Sequence, residues 1–271
     1  MNAAVTPISD VEFMRFQRFI HDSAGITLSS AKKQLVAGRL AKRLAACGSR
    51  SYSEYFRFLQ TPEGHAERQQ AVDVLTTNET YFFREAKHFD WLRRHAEATH
   101  RPGQPFRVWS AACSSGEEAY SIAMVLADCL GGNPWEVVGT DICNRVLEKA
   151  ARGQYSVERT EHIPKPYLRR FCLRGVGRQE GTLLINRELR QHVRFAPLNL
   201  NQRLPNMAPF DAIFLRNVMI YFNTETKRQV VARLIPALRQ GGHFYIGHSE
   251  TLNDITQDLR ALAPATYCKG T

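Results

Sequence analysis

FRVWSAACSSGEEAYSIAMVLADCL, residues 106–130, opens as an apolar run, passes through a turn of small residues, and continues past Gly116 as an apolar stretch with helical spacing. EVVGTDI (136–142) repeats the apolar run and NRVLEKAARG (144–153) repeats the helix, closing on a glycine. Strand, tight turn, helix, strand is the rhythm of βαβ units around a parallel sheet. Further strands are expected in VRFAPLNL (193–200), FDAIFLRN (210–217) and GHFYIGHSE (242–250). TETKRQVVARLIPALRQGG (224–242) reads as a helix stopped by Gly241 and Gly242.

On both sides of this core the pattern changes. Residues 1–77 read as a run of short helices, the first opened by a Ser9–Glu12 capping box and the third by Ser51–Glu54. Between them, Ser29 or Ser30 is placed to cap AKKQLVAGRLAKRLAAC (31–47), with Leu35, Leu40 and Leu44 on one face and Lys32, Arg39 and Arg43 on another. The expected division is therefore a basic helical domain over 1–77 and an α/β domain over 78–271. At about 165–192 the rhythm breaks into LRRFCLRGVGRQEGTLLINREL, expected to be a small inserted subdomain of antiparallel strands.

The composition is that of a globular chain: 271 residues, 44 % hydrophobic, 23 % charged, with no stretch long enough for a transmembrane helix. The opening MNAAVTPISD carries no export signal pattern, so a cytoplasmic protein is expected. Six scattered cysteines lack metal-ligand spacing, and no metal is expected. The net charge of +10 points to an acidic partner. Six basic residues and no acid lie between Asp22 and Glu54, and nine basic residues face only Glu180 and Glu188 between Lys165 and Arg203.

Ligands of doubly wound sheets bind at the carboxyl ends of the strands, beside the first βα turn. That turn, Ala111 to Glu118, holds one glycine among small residues instead of a GxGxxG fingerprint, which disfavours a dinucleotide. Asp141 ends the next strand 25 residues after Gly116, where an acid takes ribose hydroxyls. A nucleoside without a phosphate tail fits the pair, and S-adenosylmethionine (SAM) is the candidate.

NETYFFRE (78–85), RVWSAACSSGEEAYSIAM (107–124), GTDI (139–142), FDAIFLRNVMIYF (210–222) and GHSE (247–250) closely resemble, in that order, the chemotaxis receptor methyltransferases of the CheR family. The resemblance implies a Rossmann-like SAM-dependent methyltransferase domain that forms glutamyl methyl esters on the cytoplasmic helical bundle of chemoreceptors. It implies SAM contacts from Asn78, Thr80, Arg84, Glu118, Asp141, Asn199, Leu200, Arg216 and Asn217. Glu117 and Glu118 are adjacent, and the sequence alone leaves the choice between them open. Because the substrate carboxylate is already ionised at neutral pH, no general base is required. The transfer destroys charge, so Arg84 suits the cofactor carboxylate or the non-attacking oxygen, and Tyr221 suits orienting the acceptor.

Lys32, Arg39 and Arg43 are candidates for docking an acidic receptor helix. Gly175, Gly177 and Gly181 resemble the glycine pattern of family members that hold a receptor's C-terminal peptide by strand addition. A monomer is expected, without nucleic acid or membrane insertion. Two rival readings remain. A nucleic-acid methyltransferase would suit the charge, although NVMIY (217–221) lacks both prolines of the (D/N)PPY loop. The other is a non-catalytic adaptor, against which the intact Arg84, Asp141, Asn217 and Tyr221 speak.

Overall fold

The computed structural model describes residues 7–270; the first six residues of the opening segment and Thr271 lie outside the described part. It divides into two compact units, one from the described part of Met1–Thr77 with Tyr221–Thr226, the other from Asn78–Ile220 with the described part of Lys227–Thr271. The grouping of Tyr221–Thr226 with the helices is a feature that the sequence did not suggest. Phe222 bridges Ile26, and the Thr27 N–H donates to the Tyr221 carbonyl at 2.8 Å.

The helical unit contains α1 (Asp10–Ala24), α2 (Lys33–Ala46), α3 (Tyr52–Phe58) and α4 (His65–Leu75). Ser9 and Glu12 close a reciprocal capping box, and Gly25 ends α1 in the left-handed region at φ 73°. At α3 only half of the expected box forms: Ser51 accepts from the Glu54 N–H, while Glu54 turns to the Arg50 N–H. Neither Ser29 nor Ser30 caps α2, because a short 3₁₀ turn over Ser30–Lys32 precedes it. Its core face is Val36, Leu40 and Leu44, whereas Leu35 is exposed.

In the second unit α5 (Lys87–Thr99) precedes β1 (Phe106–Ala111), α6 (Glu117–Cys129), β2 (Trp135–Asp141) and α7 (Asn144–Arg152). The chain continues through β3 (Gln154–Ser156), α8 (Lys165–Phe171), β4 (Cys172–Arg174), β5 (Thr182–Ile185) and α9 (Arg187–Arg190). It closes with β6 (Val193–Pro197), β7 (Phe210–Leu215), α10 (Thr224–Leu234), β8 (Leu238–Ile246), β9 (Leu259–Ala263) and β10 (Thr266–Lys269). A seven-stranded sheet runs β6-β2-β1-β7-β8-β10-β9, with its first five strands parallel and β10 antiparallel to both neighbours. Such strands, covered on both faces, need nearly continuous apolar sequence. Val108, Trp109, Ile213, Phe214, Phe244 and Tyr245 supply it and are fully buried.

The small antiparallel sheet, β3-β5-β4, begins upstream of the expected insertion, at Gln154. Gly241 and Gly242 do not stop a helix: α10 ends at Leu234, and both glycines lie inside β8. Gly241 has φ 73°, and a Cβ on Gly242 would stand 3.0 Å from the Asp211 carbonyl oxygen. The pair lets β8 deform against β7, whose register shifts between Phe210 and Ala212. Among the described residues no helix is long and apolar enough to cross a membrane.

Candidate active site

Parallel pairing of β1 with β2 sets Ala111 beside Thr140, so the first βα turn and Asp141 emerge at the same sheet end. The turn then folds back on that neighbour. The N–H groups of Ala112 and Cys113 both donate to the Thr140 carbonyl at 2.8 Å, and the Ser114 N–H donates to Asp141 Oδ2 at 2.9 Å. The Cys143 N–H donates to Asp141 Oδ1 at 2.9 Å. The buried carboxylate is thus fixed in orientation by backbone on two sides. Gly116, at φ 94°, serves packing: a Cβ there would meet Ala150 Cβ at 2.8 Å and the Tyr155 hydroxyl at 3.0 Å.

NETYFFRE is fastened to this turn. Ser114 Oγ donates to the Asn78 carbonyl at 3.0 Å, and the Phe83 N–H donates to Ser121 Oγ at 3.0 Å. Phe82 is buried edge-on to Tyr155, while Tyr81 is exposed beneath the Arg84 guanidinium, 5.6 Å from the ring centre. Arg84 also donates to the Glu79 carbonyl at 3.2 Å. The Thr80 carbonyl accepts from Arg159, whose guanidinium grips Glu117.

The adjacent carboxylates have different surroundings. Glu117 is wholly buried between Arg159 and the Ser115 hydroxyl. Glu118 accepts from Ser110 Oγ at 2.6 Å and from Arg216 Nη1 at 3.0 Å, with its side chain 13 % exposed. Burial raises its pKa despite the opposing Arg216 charge.

Arg216, expected among the SAM contacts, has its side chain engaged within the protein. The guanidinium is only 1 % exposed and donates to Glu118, to Glu85 and to the Arg84 carbonyl. Leu200 is buried after β6. Asn199 accepts from the Asn201 N–H at 2.9 Å and so shapes the loop that follows β6.

Two acids organise the end of β7, and sequence reasoning quoted both in motifs without giving either a role. Glu85 Oε1 accepts from Asn217 Nδ2 at 3.3 Å and from the His248 N–H at 3.0 Å, while Oε2 takes Arg216. Burial acts to raise the Glu85 pKa, but Arg216 and these donors hold it below the usual carboxylate value. Glu250 accepts from the N–H groups of Asn217, Gly247 and Ile220, holding Asn217 at φ 57°. Burial raises the Glu250 pKa against those hydrogen bonds.

His88 lies beside Glu85 with neither ring nitrogen hydrogen-bonded, and burial pushes its pKa down to about 3. Glu85, His88 and His248 have metal-ligand proximity. The donor set nevertheless suits a cation poorly, because Glu85 already receives four N–H groups and Arg216 places a positive charge against it.

Two groups of expected substrate residues look different in the fold. Lys32 is exposed, but Arg39 donates to the carbonyls of Leu75 and Thr76 and to the Thr77 hydroxyl. Arg43 makes a two-pronged pair with Glu67, which also accepts from the Tyr55 hydroxyl. The stripe expected to face a partner is therefore largely bound to its own unit. In the small sheet, Gly177 and Gly181 take φ of 59° and 78°, and a Cβ on Gly175 would lie 2.0 Å from the Gln179 carbonyl oxygen. Tyr221 ends a 3₁₀ turn over Met219–Tyr221 and groups with the helical unit.

Residues 78–268 match the family model described as CheR methyltransferase, SAM binding domain, and residues 11–76 match CheR methyltransferase, all-alpha domain. The chain is 43 % identical over 263 residues to the chemotaxis protein methyltransferase of Escherichia coli, covering 96 % of this chain and 91 % of that protein. It is 41 % identical to that of Salmonella typhimurium over 263 residues, covering 96 % and 90 %. Chemotaxis protein methyltransferase 2 of Pseudomonas aeruginosa is 40 % identical over 259 residues, covering 94 % and 92 %. With both family domains in order and the small-residue turn and strand-end Asp141 in place, the chain belongs to the CheR family of SAM-dependent methyltransferases.

Proposed function

We propose that this enzyme methylates glutamate side chains on the cytoplasmic helical bundle of chemoreceptors. The observation that carries the cofactor side is Asp141, held at the end of β2 by the N–H groups of Ser114 and Cys143. SAM supplies an activated methyl group on a sulfonium. The chain's own task is to position the acceptor, an effect worth roughly 7 to 11 kcal/mol in well-oriented reactions.

In this reading Asp141 holds the ribose, and Glu118, which unlike Glu117 retains exposed side-chain surface, faces the cofactor. Asn78, Thr80, Asn199, Leu200 and Asn217 complete the cradle, with Arg216 acting behind it. Arg84 receives the cofactor carboxylate or the non-attacking substrate oxygen, and the Tyr221 hydroxyl orients the acceptor. Glutamate needs no deprotonation at pH 7, so none of these residues has to serve as a base.

The edge strand β4 is the proposed seat of a receptor's C-terminal peptide. Leu173 on β4 is 55 % exposed and Val176, just after it, 80 %, and among the described residues β4 pairs only with β5.

Incubation with tritiated SAM, a chemoreceptor cytoplasmic fragment and, separately, RNA tests the reading. Base-labile label on the receptor fragment is expected, abolished by Arg84→Ala. Base-stable label on RNA alone would replace it with the nucleic-acid reading, and no transfer to either would return the adaptor.

A further inference from the structure

The helical unit carries a cavity of about 530 Å³ on the outer side of α1. Val11, Met14, Arg15 and Arg18 lie along one stripe of that helix, and Phe56 and Arg68 close the far wall from the end of α3 and from α4. Val11 and Met14 are each 55 % exposed, an apolar pair that the unit's own packing leaves uncovered. Among the described residues the guanidinium groups of Arg15, Arg18 and Arg68 take no hydrogen-bond or ion-pair partner. This is the opposite of α2, where Arg39 and Arg43 are bound within the unit. Among the described residues Asp22, at the end of the stripe, is the only acid lining the groove.

We propose that this groove docks an acidic amphipathic helix of the receptor bundle, at a station separate from the segment being methylated; the identity of that helix rests on the receptor reading above. An apolar floor rimmed by three cations fits a helix with apolar residues on one face and carboxylates along its edges. α1, at 15 residues, offers a contact roughly 22 Å long, about four turns of a partner. A second copy of this chain is disfavoured by the like charge on both surfaces, since the protein carries +10. A membrane surface would not follow a concave wall, and nucleic acid would leave Val11 and Met14 against phosphate.

The test is the triple reversal Arg15→Glu, Arg18→Glu, Arg68→Glu, with Met14→Asp as a separate probe of the floor. Binding of a receptor cytoplasmic fragment is read by fluorescence anisotropy, methylation by tritiated SAM, and integrity by calorimetric SAM affinity and thermal melting. Both variants are expected to raise the Kd and KM for the fragment by about tenfold or more, with kcat at saturating receptor retained. The reversal should also flatten the salt dependence of binding. Unchanged Kd in the intact variants overturns the proposal. So does a wild-type dimer in sedimentation that the reversal dissociates, or binding to phosphatidylglycerol vesicles in place of the fragment. If wild type binds the fragment through the groove without methylating it, the docking site stands and the receptor-methylation reading falls. If it neither binds nor methylates, both fall.

Discussion

Asp141 holds its carboxylate between the N–H groups of Ser114 and Cys143 at the end of β2. A strand-terminal acid after a small-residue turn is visible in a linear sequence because both signals are local. Removing a partner from a buried, charge-assisted hydrogen bond costs about 1.5 to 3 kcal/mol. Asp141→Ala is therefore expected to weaken SAM binding at least about tenfold in calorimetry, and unchanged affinity would place the cofactor elsewhere. Glu85 is the contrasting case. Its donors lie 131, 132 and 163 positions away, at Arg216, Asn217 and His248, so nothing in its local sequence shows what it does. Breaking a buried ion pair from one side costs roughly 3 to 5 kcal/mol. Glu85→Ala should lower the melting temperature and weaken SAM binding together, whereas Arg84→Ala, at a half-buried site, should leave melting nearly unchanged and abolish transfer.

At the scale of elements, what the sequence made legible was periodicity. The βαβ core, the helices of the first unit and the antiparallel character of the small sheet all follow from spacing that repeats within a dozen residues. Glycine pairs were not legible in the same way, because one signal serves two structures. Gly241 and Gly242 could end a helix or deform a strand, and the pairing of β8 with the distant β7 decides. The arginine stripe of α2 shows a related limit of periodicity: helical spacing tells which residues share a face, but not that Arg43 meets Glu67 and Arg39 the end of α4. The three glycines of the small sheet now separate. Gly177→Ala meets no neighbour and pays only for left-handed backbone, about 1 kcal/mol, whereas Gly175→Ala drives a Cβ into the Gln179 carbonyl. Thermal melting should fall clearly more for Gly175→Ala. The milder Gly177→Ala is the better probe of the tether, and it should raise KM only for receptors that carry a C-terminal peptide.

For the molecule as a whole, buried histidines set a pH dependence. Burial lowers the pKa of His88 and of His243 to about 3, with Arg216 adding to the effect at the first and His95 at the second. His95 stacks on His243 at 3.7 Å and is lowered too, again chiefly by burial. Unfolded histidines bind protons near pH 6.5 while these do not, so stability is complete above that value and declines as pH falls from 6.5 toward 3. The slope is up to about 1.4 kcal/mol per pH unit for each histidine. Urea denaturation at pH 7.5, 6.0 and 5.0 should show the decline. His88→Phe should make it shallower at little cost at pH 7.5, since neither ring nitrogen of His88 is hydrogen-bonded.

Among the described residues, seven other than glycine hold left-handed backbone angles, and five of them, Phe83, Glu85, Ala112, Ser114 and Asn217, belong to the segments proposed to cradle the cofactor. Each such angle is uphill by about 1 kcal/mol or more for a residue with a side chain. Heat tolerance and turnover are thereby set against each other at one place. A laboratory selection for thermal resistance would find an easy gain by relaxing Ala112 to glycine, and would collect variants that outlast the parent enzyme while working more slowly.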